Sequence, residues 1–66
     1  MLITINGEPR EVSDDTNLLD LILDLGVKPE MIAVQHNEDI VDRKDFDQVV
    51  LQDDDVVELI RIVGGG

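Results

Sequence analysis

Residues 2–26 read LITINGEPREVSDDTNLLDLILDLG, and this stretch decides the fold. Leu2-Ile3-Thr4-Ile5 is β-rich and ends at Asn6-Gly7, the strongest short hairpin signal, because a type I′ turn needs positive φ at both central positions. Arg10-Glu11-Val12 is the expected return strand, with Pro9 beside the turn, where a ladder donor can be spared. Asn17 is a good helix N-cap, and Asp20 three residues later makes a loose variant of the capping box. Asp14 and Asp15 place negative charge by the positive end of the helix dipole. On a helical wheel Leu18, Leu21, Ile22 and Leu25 form one apolar stripe, widened by Leu19 and Leu23, while Asn17, Asp20 and Asp24 face away. Gly26 sits at the expected C′ position, Val27 supplies the accompanying apolar contact, and Pro29 prevents a restart.

Outward from that unit, Ile32-Ala33-Val34-Gln35 is a third strand, Asn37-Glu38-Asp39 a turn and Ile40-Val41 a short return. Asp42 to Gln48 is polar except for Phe46, the one aromatic residue, and reads as a loop or one helical turn pinned by that ring. Val49-Val50-Leu51 is brief and apolar, and Asp53-Asp54-Asp55 reads as a solvated turn. A calcium loop there is disfavoured, since the EF-hand spacing and distal Glu are missing. Val56 to Val63 is the longest strand and runs into Gly64-Gly65-Gly66. The order is β-β-α-β-β-β. A hairpin, one amphipathic helix and further strands share one core most economically as a mixed sheet with the helix on one face. The right-handed crossover rule then sets the helix between two parallel strands. The expected class is α+β, a β-grasp (ubiquitin-like) fold with a mixed sheet of four to five strands and one main helix packed on one face. Residues 1–63 are expected to form this single domain and residues 64–66 a flexible C-terminal glycine tail.

Composition narrows the function. A chain of 66 residues buries only about 60% of its unfolded surface, which leaves little room for a substrate pocket and disfavours self-contained catalysis. Sixteen acidic residues against five basic ones, a net charge of −11, argue against nucleic acid and against an anionic membrane surface. No apolar run approaches the roughly 20 residues of a spanning helix, and no basic leader precedes one, so the chain is expected to be cytoplasmic. With 42% hydrophobic residues it is too apolar to be disordered. The absence of Cys removes a disulfide framework, a thiolate nucleophile and a Cys-based zinc site. A single His, His36, removes most other metal sites and reads as a surface or satisfied residue.

The informative feature is the glycine end. Glycine makes up about 7% of residues, so a terminal Gly-Gly arises by chance about 0.5% of the time. A frayed end is the plain explanation. Following a strand, however, bare glycines make a thin arm of about 13 Å that can thread a narrow channel and adopt backbone angles closed to other residues. A carboxylate at its tip becomes reactive once converted to an acyl-adenylate, and a sulfur or amine nucleophile can then attack. Without Cys, any sulfur the chain carries sits on Gly66 as a thiocarboxylate. In the strand before the tail, Val57 and Leu59 point inward while Glu58, Ile60 and Ile62 point to the other face. Ile60 and Ile62, with Val63, form a candidate partner-docking patch, with Leu2 or Ala33 nearby. The acidic surface either complements a basic groove on a partner or serves solubility.

Several segments carry a resemblance: NLLDLILDLG from Asn17 to Gly26, Ala33-Val34, Asn37, Ile40-Val41, Arg43, and DDDVVELIRIVGGG from Asp53 to Gly66. Over essentially its full length the chain resembles the ThiS family of thiamine-biosynthesis sulfur carriers. Asp42 stands where that family usually has Pro, and Asp54 where it usually has Gly. The resemblance implies that a ThiF-type adenylyltransferase uses ATP to adenylate Gly66. A relay fed by a cysteine desulfurase then forms the thiocarboxylate, and thiazole synthase (ThiG) takes the sulfur for the thiazole ring of thiamine. Gly64 and Gly65 would thread the partner, and the chain would act as a co-substrate without a tightly bound cofactor. The alternatives are the MoaD-like small subunit of molybdopterin synthase and a β-grasp protein-binding or modifier module.

Overall fold

A computed structural model describes residues 1–62. Strand β1 (Leu2–Ile5) turns through Asn6 and Gly7 into β2 (Glu8–Glu11), with φ of 50° and 83° at the two turn residues, as a type I′ turn requires. The two-residue turn sets Glu8 opposite Ile5, so the return strand starts earlier than Arg10. Val12 lies just past it, yet donates its N–H to the Met1 carbonyl at 2.9 Å. Pro9 pairs with Thr4 on the outermost strand of the sheet, where its missing donor costs no ladder bond.

Helix α1 (Leu18–Asp24) starts at Asn17, whose side-chain oxygen accepts the Asp20 N–H at 2.8 Å. It ends in a Schellman motif: Gly26, at φ 76°, donates to the Leu23 carbonyl at 3.0 Å, and Val27 donates to the Ile22 carbonyl at 3.2 Å. Leu18, Leu21 and Ile22 are buried and Leu25 half-buried, as the wheel requires. Leu23 is exposed, because the sheet covers one narrow stripe of a two-turn helix. Pro29 bars a continued α-helix and instead opens a 3-10 turn, Pro29–Met31, where its fixed φ suits the first position.

Strands β3 (Ile32–His36) and β4 (Asp39–Val41) are joined by a second two-residue turn, with φ of 49° at Asn37 and 75° at Glu38. Asp39 therefore belongs to the strand rather than to the turn. A 3-10 segment, Arg43–Gln48, carries Phe46 into the core. Strand β5 (Val56–Arg61) completes a five-stranded sheet in the order β2-β1-β5-β3-β4. β1 and β5 run parallel and the other pairs antiparallel. The α1 face of the sheet supplies Ile3, Val34 and Val57 to one core with Leu21, Ile22 and Phe46. The expected α+β architecture, with a mixed sheet and one main helix on one face, is the observed one. β5 ends at Arg61, so the expected strand to Val63 is already broken off at Ile62, which lies past it; Val63 and the tail at 64–66 lie outside the described residues.

Candidate functional site

The candidate site is built on β5. Strand alternation turns Val57 and Leu59 toward α1, and Glu58 and Ile60 away from it. Ile60 is 52% exposed and Ile62, just past the strand, 48%. The β3–β5 register sets Ala33 opposite Ile60. Beyond it, the Ile62 N–H donates to the Met31 carbonyl at 2.9 Å, which brings exposed Met31 beside the patch. Ile60, Ile62, Ala33 and Met31 thus form an apolar surface where β5 leaves the sheet. Leu2 is not part of it. Thr4 pairs with Val56, and the Asp54 N–H donates to the Leu2 carbonyl at 2.7 Å. Six residues of strand, about 20 Å, separate that level from Ile60. Val63, Gly64, Gly65 and Gly66 lie outside the described residues.

The strand that carries this patch is well held. β5 lies between β1 and β3, and Asn6 reaches from the hairpin to accept the Leu59 N–H on its side-chain oxygen at 2.8 Å. Its far end is fixed by a polar cluster around Asp55. The Asp55 carboxylate accepts from His36 Nε2 at 2.6 Å, Asn37 Nδ2 at 2.9 Å and the Gln52 N–H at 2.8 Å. Asn37 Oδ1 accepts the Val56 N–H at 2.8 Å. Burial pushes the Asp55 carboxyl up, but the hydrogen bonds from His36, Asn37 and Gln52, with the His36 charge, outweigh it and hold the group below the ordinary value. The triple-aspartate segment is therefore a solvated turn only in part. Asp53 accepts the Leu2 N–H at 2.8 Å and Asp54 is exposed, but Asp55 is buried. Asn37, carried in one of the family-like segments without an assigned role, is the hub of this cluster.

His36 is thus a satisfied residue at the end of the sheet opposite the apolar patch. Among the described residues no group of three or more His, Cys, Asp or Glu side chains could hold a metal ion. Among the same residues no helix is long and apolar enough to cross a membrane. What the described residues offer is an exposed apolar surface on the central strand of the sheet, immediately before residues 63–66.

Comparison with known proteins gives a consistent result. The model of the ThiS family matches residues 3–66. A thiazole synthase from Magnetococcus marinus is 42% identical over all 66 residues, and the chain spans 20% of that protein's length. The sulfur carrier protein ThiS of Thermus thermophilus is 32% identical over 65 residues, covering 98% of this chain and 100% of that one. The crystal structure of the thiamine biosynthesis protein ThiS from Geobacter metallireducens superposes with a TM-score of 0.87 at 33% identity, covering both chains fully.

Proposed function

Because this chain belongs to the ThiS family of sulfur carriers in thiamine biosynthesis, we propose that it carries sulfur on the α-carboxyl of Gly66. The observation that bears most weight is the reach of the family match to residue 66, which takes in the whole glycine segment. In this reading a ThiF-type adenylyltransferase joins the Gly66 carboxylate to the α-phosphate of ATP and releases pyrophosphate. A persulfide of a relay fed by a cysteine desulfurase then displaces AMP through its outer sulfur to give an acyl disulfide, and a second thiol cleaves the S–S bond, which leaves the thiocarboxylate on Gly66 and a disulfide on the relay. The chain supplies the acyl group and the recognition surface; its partners supply the catalysis. Gly64 and Gly65 thread the partner's channel without Cβ atoms to obstruct it.

Thiazole synthase (ThiG) is the proposed acceptor. A thiazole synthase that contains a segment 42% identical to this whole chain supports that pairing over the molybdopterin branch. The patch at Ile60 and Ile62, continued by Val63, is the proposed docking surface. The compact single domain over 1–63, acting in the cytoplasm, is its handle. The test is intact mass spectrometry after incubation with ATP, a ThiF-type enzyme and a sulfur donor. A gain of about 16 Da, one oxygen replaced by sulfur, is expected. No gain with a cognate enzyme overturns the proposal. Gly65→Trp is expected to abolish the gain while leaving the unfolding midpoint of the domain unchanged.

A further inference from the structure

The face of the sheet that holds α1 is not fully covered. With seven residues, α1 is about 10 Å long, whereas the six residues of β5 extend about 20 Å. Past the helix C-terminus this mismatch leaves a groove of about 410 Å³, floored and walled by Ile5, Leu25, Val27, Ile32 and Leu59. All but Ile32 are only partly buried, so their apolar atoms remain available. The volume lies within the roughly 300–1,000 Å³ in which proteins hold guests.

The charge at its rim is unlike the rest of the molecule. Arg10 and Arg61, two of only five basic residues, line the groove against one carboxylate, Glu8, in a chain of net charge −11. Arg10 touches Asp24 at 3.4 Å, but both side chains are solvent-exposed, and an exposed pair of this kind exchanges readily for another carboxylate. From these observations we propose that the groove is a second docking site, for a protein segment that presents an apolar side chain flanked by carboxylates. The apolar side chain fills the space beyond α1, and the flanking carboxylates pair with Arg10 and Arg61. Arg61 is the last residue of β5, so the occupant lies on the opposite face from Ile60 and close to the start of residues 63–66. The remaining acidic surface repels the same segment elsewhere and fixes where it binds. The inference rests on the groove alone and stands whether or not Gly66 carries sulfur.

The test uses the isotope-labelled chain and a capped peptide of two leucines flanked on each side by two aspartates. Amide shifts are expected at Ile5, Leu25, Val27 and Leu59, with Ala33 and Ile60 unmoved. Raising the salt to about 1 M, where the Debye length falls to about 3 Å, is expected to weaken binding about tenfold. The double substitution R10E/R61E is expected to weaken it by about tenfold or more, and Arg10→Gln alone by part of that. Both arginines are exposed, so an unchanged spectrum away from the groove verifies the fold of each variant. Equal binding of a peptide with lysines in place of the aspartates overturns the proposal. So do shifts confined to the Ile60 face, or no shift at millimolar peptide.

Discussion

Asp55 is one of three consecutive aspartates, yet its two neighbours meet water and it does not. Its partners His36 and Asn37 lie 19 and 18 residues away, and the antiparallel β3–β5 register brings them within reach. That register is a property of the folded sheet, which is why the run reads from sequence as a plain solvated turn. The depressed carboxyl has a definite sign in the pH dependence of stability. Its contribution is complete above the unfolded value near pH 4 and is lost as the pH falls through the lower folded value. Acid unfolding followed by circular dichroism is expected to show this loss on the acid side of pH 4, and Asp55→Asn to flatten it. Asp55→Ala strands the Asn37 amide and the Gln52 N–H, and is expected to cost about 2–3 kcal/mol in urea unfolding. An unchanged urea midpoint would mean that water replaces the carboxylate at no cost.

The elements themselves were legible where local chemistry dictates the backbone. Asn6-Gly7 specifies a type I′ turn, Asn17 a cap and Gly26 a stop, and all three appear. The boundaries of β2 and β4 were less legible. A two-residue turn restarts pairing at once, so Glu8 and Asp39 join strands that sequence polarity gives to turns. Asn37-Glu38 hides a tight turn because Glu is rarely found at φ 75°, and here the strand pairing on both sides holds it there. The two departures from the family pattern divide cleanly. Asp42 has φ −68°, the value proline itself imposes, so it fits without strain. Asp54 has φ 71°, where a glycine is strain-free. Asp54→Gly is therefore expected to stabilise the domain by about 0.5–1 kcal/mol, read from the urea midpoint. A loss of stability instead would assign the exposed carboxylate a role in the turn.

For the whole molecule, the sheet order ranks the surfaces. The core uses one face of the sheet, which leaves Ile60 exposed with Ala33 opposite on the other. Strand alternation made Ile60 and Ile62 legible, but Met31 comes from a 3-10 turn that no strand pattern reveals. Ile60→Glu is expected to change stability by less than about 0.5 kcal/mol, since the side chain is half in water already. It is expected to slow sulfur loading about tenfold or more if the patch anchors the activating enzyme. Unchanged loading kinetics would move the anchor elsewhere. The groove by Arg10 and Arg61 had no sequence signal, because its lining comes from five separate segments and its space from the shortness of α1. The parallel pairing of β1 with β5 has a mechanical consequence. The first strand and the last lie side by side near the middle of the sheet, with β3 on the far side of β5. A tension drawing Arg61 outward along its strand is opposed by the β1 and β3 ladders together, in shear. A pull on Arg61 thus loads both ladders at once, and the sheet does not unzip one bond at a time.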